Sequence, residues 1–169
     1  VVGHGLDPAT EMGPLVSGEQ WQRVSRYVEI GASEGGKVLT GGGRPDAQPR
    51  GHFFEPTVLV DPGDDARVVK EEIFGPVLTV MRWEDTEDLI RRANDSIYGL
   101  AAGVWTNDLK QAHLIAGALR AGTVWINCYN LTDPASPFGG MKQSGLGREM
   151  GRKVLDNYTE TKSVWVNLT

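Results

Sequence analysis

The chain has 169 residues, 17 Lys and Arg against 22 Asp and Glu for a formal net charge of −5, and 40% apolar residues. That length suits one compact domain, or a portion of a larger one. The acidic balance with scattered basic residues excludes a nucleic-acid footprint, and no apolar run approaches the ~20 residues that a membrane-spanning helix needs.

Ser17-Gly18-Glu19-Gln20 fits a capping box, in which the Ser17 hydroxyl and the Gln20 side chain satisfy each other's orphan backbone donors. Trp21, Val24 and Val28 then recur at helical spacing, and Gly35-Gly36 can stop the helix. Lys37–Leu39 predicts a short strand before the Gly41-Gly42-Gly43 turn, and residues 44–51, with two Pro, predict an exposed loop. Phe53–Val60 is rich in β-formers, but Pro56 predicts an edge or irregular strand. Further on, Val77–Trp83, Leu100–Trp105 and Thr123–Cys128 predict strands separated by helices over Glu84–Ala93 and from an Asn107 cap to Gly122. Leu89, Ile90 and Ala93 mark the apolar side of the first helix, and Leu109, Ala112, Ile115, Ala116 and Leu119 that of the second. Strands alternating with helical crossovers predict an α/β fold with a parallel sheet, buried on both faces where its strands are continuously apolar. Arg148–Leu155 predicts a short helix, and Thr161–Leu168 a final strand with no hairpin partner nearby, which should pair elsewhere.

Candidate chemistry concentrates in a few places. In Lys70-Glu71-Glu72-Ile73-Phe74-Gly75-Pro76, two carboxylates beside an aromatic suit a sugar diol, because a carboxylate accepts from adjacent hydroxyls while the ring covers an apolar face. A solvated charge pair ahead of a turn is the commoner use of such residues. The run from Ser136 to Glu149 is glycine-rich, part of a total of 22 Gly that is about twice the ~7% average. It lacks the Walker spacing of a phosphate loop, and its glycines fit better a connection threading between packed elements, where a Cβ would clash. Cys128 has no nearby His to act as base, so it reads as a small buried hydrophobe rather than a nucleophile. With His4, His52 and His113 it shows no metal-ligand spacing, so no metal site is expected. His113 reads as a helix-face residue, and Trp21, Trp83, Trp105, Trp125 and Trp165 as packing residues. One cysteine and no signal peptide predict a reducing, cytoplasmic setting, and an opening at Val1 rather than Met reads as a cut piece.

Taken in order, these segments resemble the carboxyl-terminal third of the NAD(P)-dependent aldehyde dehydrogenase superfamily. The resemblance runs from Val1-Val2-Gly3 and Gly13-Pro14 through Gly41-Gly42-Gly43, Pro56-Thr57-Val58 and Glu71-Glu72-Ile73-Phe74-Gly75-Pro76. It continues through Ala93-Asn94, Tyr98-Gly99-Leu100, the Gly122–Asn127 segment, Pro137-Phe138-Gly139-Gly140, Lys142, Ser144-Gly145-x-Gly147-Arg148-Glu149 and Tyr158-Thr159-Glu160-x-Lys162.

The resemblance implies that Glu72 accepts hydrogen bonds from a nicotinamide ribose and that Phe74 packs beside the nicotinamide of NAD or NADP. It implies that Gln20 and Arg23 lie toward the adenine-side ribose, that Asn130, Thr132 and Phe138 line an aldehyde tunnel, and that Glu149 is a supporting carboxylate near the active site. By the same resemblance, residues 1–143 are part of a catalytic domain, residues 144–160 lead toward the cofactor domain, and residues 161–169 form a strand that joins a partner subunit in a homo-oligomer. The loop 129–135 looks like those of members acting on aryl or other apolar aldehydes. The family's nucleophilic Cys, general-base Glu and oxyanion-hole Asn have no counterpart here, so an isolated chain is expected to be inactive. A binding or assembly module derived from such an enzyme is the competing expectation.

Overall fold

The computed structural model describes residues 1–169. They divide into two compact units, Val1–Trp83 and Glu84–Thr169.

The first unit is organised by helix α1, Gly18–Ser33. Ser17 adopts extended backbone and its side chain accepts from the Gln20 amide, as a cap should. The reciprocal half of the expected capping box is replaced: the Gln20 side chain donates instead to the Phe74 carbonyl. Val24, Tyr27, Val28 and Gly31 fall on one helical face and are buried. Around them lies a three-stranded sheet in the order β1–β2–β3, made of Lys37–Thr40, Thr57–Val60 and Val77–Val80. β1 runs antiparallel to β2, and β3 runs parallel to it, with the short helix α2, Arg67–Lys70, on the connection between the parallel pair. Val24, Phe54 and Leu59 are at most 1% exposed and form the centre of the core with Val28, Val68 and Ile73. Full burial of such a side chain is worth ~1.5–3 kcal/mol. Gly31 allows the close approach, since a Cβ there would stand 2.9 Å from carbons of both Leu59 and Val68.

The edge strand expected from Pro56 is corrected. β2 is the middle strand, but it begins at Thr57, so the residue without an N–H stands outside the ladder. Phe53 and Phe54 precede the strand and are buried all the same.

The second unit contains α3 (Thr86–Asn94), β4 (Tyr98–Gly99), β5 (Ala101–Val104), α4 (Leu109–Ala118), β6 (Thr123–Ile126) and β7 (Met141–Lys142). β5 and β6 are parallel with α4 between them in sequence, and β4 pairs antiparallel with β7. The fold is therefore α/β with parallel pairs joined through helices. The three predicted strands are shorter than expected and do not form one series: β3 pairs with β2, whereas β5 pairs with β6. Their burial is also partial, with Leu78 60% exposed and Val80 41%. The cap of α4 is Asp108, one residue after the expected Asn107, and its carboxylate accepts from the Gln111 amide at 3.0 Å.

One expectation near the end of the chain is corrected. The helix expected over Arg148–Leu155 is a 3-10 helix over Arg152–Asn157, because Met150 and Gly151, at φ +59° and +54°, interrupt any earlier start. Residues 161–168 pair with no segment of this chain, and Trp165 is 95% exposed and Leu168 92%.

The glycine-rich run threads tightly, as expected. A Cβ on Gly122 would lie 1.6 Å from the Gly139 carbonyl oxygen, and one on Gly140 would lie 2.4 Å from the Ser144 carbonyl carbon. Gly122→Ala is expected to cost ~1–3 kcal/mol of stability, as overpacking does, measured as a lowered urea midpoint. An unchanged midpoint would contradict the close approach.

Candidate functional site

The two adjacent carboxylates of Glu71 and Glu72 have different fates. Glu71 is tied down: Arg67, one turn earlier on α2, donates from Nε to Oε1 and from Nη2 to Oε2, both at 2.9 Å. The Tyr27 hydroxyl donates to the same Oε2 at 2.6 Å. These bonds, Arg67 first and Tyr27 second, bring the Glu71 carboxyl down to about 2 from an ordinary value of 4.5. The carboxylate in turn raises the Tyr27 hydroxyl. The Tyr27 ring lies between two guanidinium groups, 5.1 Å from Arg23 and 5.5 Å from Arg67.

The next three residues are held by their backbone. Arg23 donates from Nη2 to the Glu72 carbonyl at 2.7 Å and from Nε to the Ile73 carbonyl at 3.2 Å. Gln20 Nε2 donates to the Phe74 carbonyl. Gln20, Arg23 and Tyr27 follow one another at i, i+3 and i+7, so a single face of α1 grips residues 71–74. Ile73 is buried as the apolar anchor of this turn. Phe74 takes a left-handed backbone, φ +60°, at a cost of ~1–2 kcal/mol for a non-glycine residue. Gly75 then passes so close to the helix that a Cβ would lie 2.3 Å from Val24 Cγ2.

The outcome is a display of two side chains. The Glu72 carboxylate is exposed and has no partner within the chain. The Phe74 ring is 72% exposed and lines a cleft of about 530 Å³ with Met12, Gly13, Pro14, Leu15 and Phe54. An open carboxylate beside an uncovered ring can take a diol and the planar group attached to it.

In the second unit a cavity of about 350 Å³ is lined by Trp125, Leu131, Thr132, Ser136, Phe138 and Met150 among others. Trp125 shapes it from below the loop: its Nε1 donates to the Leu131 carbonyl at 2.8 Å, and its ring meets Tyr129 edge-on at 4.9 Å. Phe138 and Glu149 exchange both backbone hydrogen bonds, at 2.8 and 2.6 Å. Thr132 and Phe138 are thus brought together at one cavity, while Asn130, exposed at φ +60°, does not line it. The Glu149 side chain is exposed and makes no hydrogen bond or ion pair within the chain. Cys128 is half-buried and free, and His113 is exposed on α4. No three His, Cys, Asp or Glu side chains converge as metal ligands. Trp125 is a packing residue as expected, whereas Trp83, Trp105 and Trp165 are exposed.

Gln20 and Arg23, expected toward the adenine-side ribose, also donate at least three N–H groups to the carbonyls of residues 72–74. It missed Tyr27, Arg67 and the division of labour between Glu71 and Glu72. The i, i+4 spacing of Arg67 and Glu71 was the available signal.

A family model described as the aldehyde dehydrogenase family matches residues 1–164. DhaS of Bacillus subtilis (strain 168), which carries an aldehyde dehydrogenase name, is 59% identical over 166 residues, 98% of this chain and 33% of its own length. Betaine aldehyde dehydrogenase of Brucella anthropi is 48% identical over 169 residues, 99% of this chain and 35% of its own. Among solved structures, the NAD+ complex of aldehyde dehydrogenase from Bacillus cereus superposes with a TM-score of 0.94 at 56% identity, covering 100% of this chain and 34% of the other. The chain therefore spans about a third of the length of the relatives it matches.

The Glu71 anchor has a pH signature. Its carboxyl lies lower in the folded chain than in the unfolded one, so its stabilising contribution is full above about pH 4.5 and is lost as pH falls toward about 2. Glu71→Gln should flatten the acid limb of a stability profile across that window. An acid limb identical to that of the parent chain would contradict the anchor.

Proposed function

The chain belongs to the aldehyde dehydrogenase family, and from that premise we propose that it is a working portion of an NAD- or NADP-dependent enzyme that oxidises an aldehyde to a carboxylic acid. The observation that carries this reading is the pairing of an uncommitted Glu72 carboxylate with an uncovered Phe74 ring on one clamped turn. The residues fit the cofactor's chemistry: a carboxylate with free lone pairs accepts from both hydroxyls of a ribose, and an aromatic edge borders a nicotinamide. When bound, the nicotinamide supplies the hydride acceptor. Glu72 orients the sugar and Phe74 limits where the ring can lie, which are contributions of positioning. The complexes with NAD+ among the similar structures support the cofactor assignment.

The cavity beside Trp125 is read as part of the aldehyde passage, with Thr132 and Phe138 on its wall, and Asn130 is assigned to the same passage from the family resemblance. Trp125, Leu131, Phe138 and Met150 in its lining favour an apolar aldehyde, with Thr132, Asp133 and Ser136 as its polar groups. Glu149, fixed to Phe138 through the backbone, serves as a supporting carboxylate. The attacking thiolate, its thioester and the activating base are assigned to the remainder of a longer polypeptide, because no base is hydrogen-bonded to Cys128. Gln20 and Arg23 are kept as residues of the cofactor side of the site. The exposed Val164, Trp165, Val166 and Leu168 support a homo-oligomer formed by strand addition from residues 161–169, with residues 144–160 as the connection and residues 1–143 as catalytic-domain material. No helix is long and apolar enough to cross a membrane; the lone cysteine fits the reducing cytoplasm.

The test is dinucleotide affinity in the complete protein. Glu72→Gln should weaken NAD+ binding ~10–100-fold, the range for losing hydrogen bonds to a charged group. Unchanged affinity would refute the reading.

A further inference from the structure

We infer that Tyr129 is a positioning residue for the aldehyde, fixing the wall of the cavity in the second unit through Trp125 without lining that cavity itself. This rests on the reading of the cavity as part of the aldehyde passage. From Asn127 to Pro137 the chain belongs to no strand, so the loop that brings Leu131 and Thr132 onto the wall has no ladder to set its path. It bends at Asn127 and Asn130, which take left-handed backbone at φ +54° and +60°, a conformation that Asn visits more readily than most residues. The first bend is tied to the sheet: the Thr106 amide donates to Asn127 Oδ1 and Asn127 Nδ2 donates to the Thr106 carbonyl, both at 2.9 Å. Beyond the second bend, Trp125 Nε1 donates to the Leu131 carbonyl, which no other group of the chain serves. Tyr129 lies between the two bends, its ring centre 4.9 Å from that of Trp125 and 6.1 Å from that of Trp105. The sheet leaves room for these rings: Gly103 stands opposite Trp125 in the β5–β6 pair, and a Cβ there would lie 2.5 Å from the Trp105 ring and 3.2 Å from the Tyr129 ring. Trp125 is buried, so packing directs its indole N–H, and the Tyr129 ring supplies one side of that packing. Tyr129 is not part of the cavity lining, and its hydroxyl makes no hydrogen bond within the chain. Its contribution is therefore the ring.

In the complete protein, Tyr129→Ala should raise KM for an aryl aldehyde, benzaldehyde, ~10-fold, the equivalent of one lost aromatic pair. Its kcat and its KM for NAD+ should stay close to the parent's, because only the aldehyde wall is loosened. Acetaldehyde, too small to rest on that wall, should be handled as by the parent. Tyr129→Phe keeps the ring and drops only the hydroxyl, so it should restore the parent's KM for benzaldehyde. Trp105→Leu removes the outer ring at a position 62% exposed, where folding is little affected. It should raise the same KM by a smaller factor, and it carries the test if the Ala variant fails to fold. Equal losses with benzaldehyde and acetaldehyde would overturn the inference in favour of a general structural role. A Phe variant as impaired as the Ala variant would overturn it in favour of the hydroxyl. Phe138→Ala, on the wall itself, separates the inference from its premise. If that variant raises KM for benzaldehyde while Tyr129→Ala and Trp105→Leu do not, the positioning role falls and the passage stands. An unaltered KM in Phe138→Ala would remove the passage, and the positioning role with it.

Discussion

The display of Glu72 and Phe74 depends on three backbone carbonyls that no strand satisfies. The carbonyls of Glu72, Ile73 and Phe74 point at α1, and Arg23 and Gln20 meet them there. A left-handed phenylalanine costs ~1–2 kcal/mol, an amount that one surface hydrogen bond hardly offsets. Several bonds from one rigid helical face, with Ile73 buried between them, do. Glu71 closes the same turn from the other side through Tyr27 and Arg67. One carboxylate is consumed in building the turn and its neighbour is left free by it. Local structure here decides chemistry: adjacent, identical side chains differ in function because one of them has partners.

The second unit uses the same device on a larger scale. Its long loops lack a ladder, and polar side chains reach their carbonyls instead. Lys142 Nζ donates to the Asn94 and Ser96 carbonyls at 2.8 and 2.9 Å, and Arg148 Nη1 donates to those of Gly140 and Gly147. Trp125 does so for Leu131 under the proposed aldehyde cavity. Buried backbone oxygens demand partners, and where no strand supplies them a long side chain can. The glycines allow the remaining approaches, Gly122 against Gly139 being the tightest.

The legible parts of the sequence were those governed by neighbours within a turn or two. Ser17 and the Gly35-Gly36 pair bound α1 because capping is local, and the glycine run reads as a threaded connection because close packing excludes Cβ. Asp108 rather than Asn107 caps α4, a displacement of one residue between two competent caps. Strand membership was less legible. β3 joins β2, and Pro56 just precedes a central strand instead of marking an edge, since pairing is set by contacts distant in sequence. At the site, Glu72 and Phe74 stood out as residue types, but nothing near them in sequence indicates that Gln20 and Arg23 hold their carbonyls 49–54 residues away. The segment 161–168 has the composition of a strand and no ladder within the chain, which is how a strand expected to pair elsewhere stands in a single copy.

The presentation of Glu72 rests on the backbone of one residue, Phe74. In isotope-labelled protein, the cross-relaxation between the Phe74 amide proton and its own Hα reports the sign of φ, because a left-handed residue brings these two protons close together. A strong intraresidue signal is expected at Phe74, matching a φ of +60°. A weak signal, as in ordinary extended backbone, would show that the turn is not held as described, and the presentation of Glu72 would lose its physical basis.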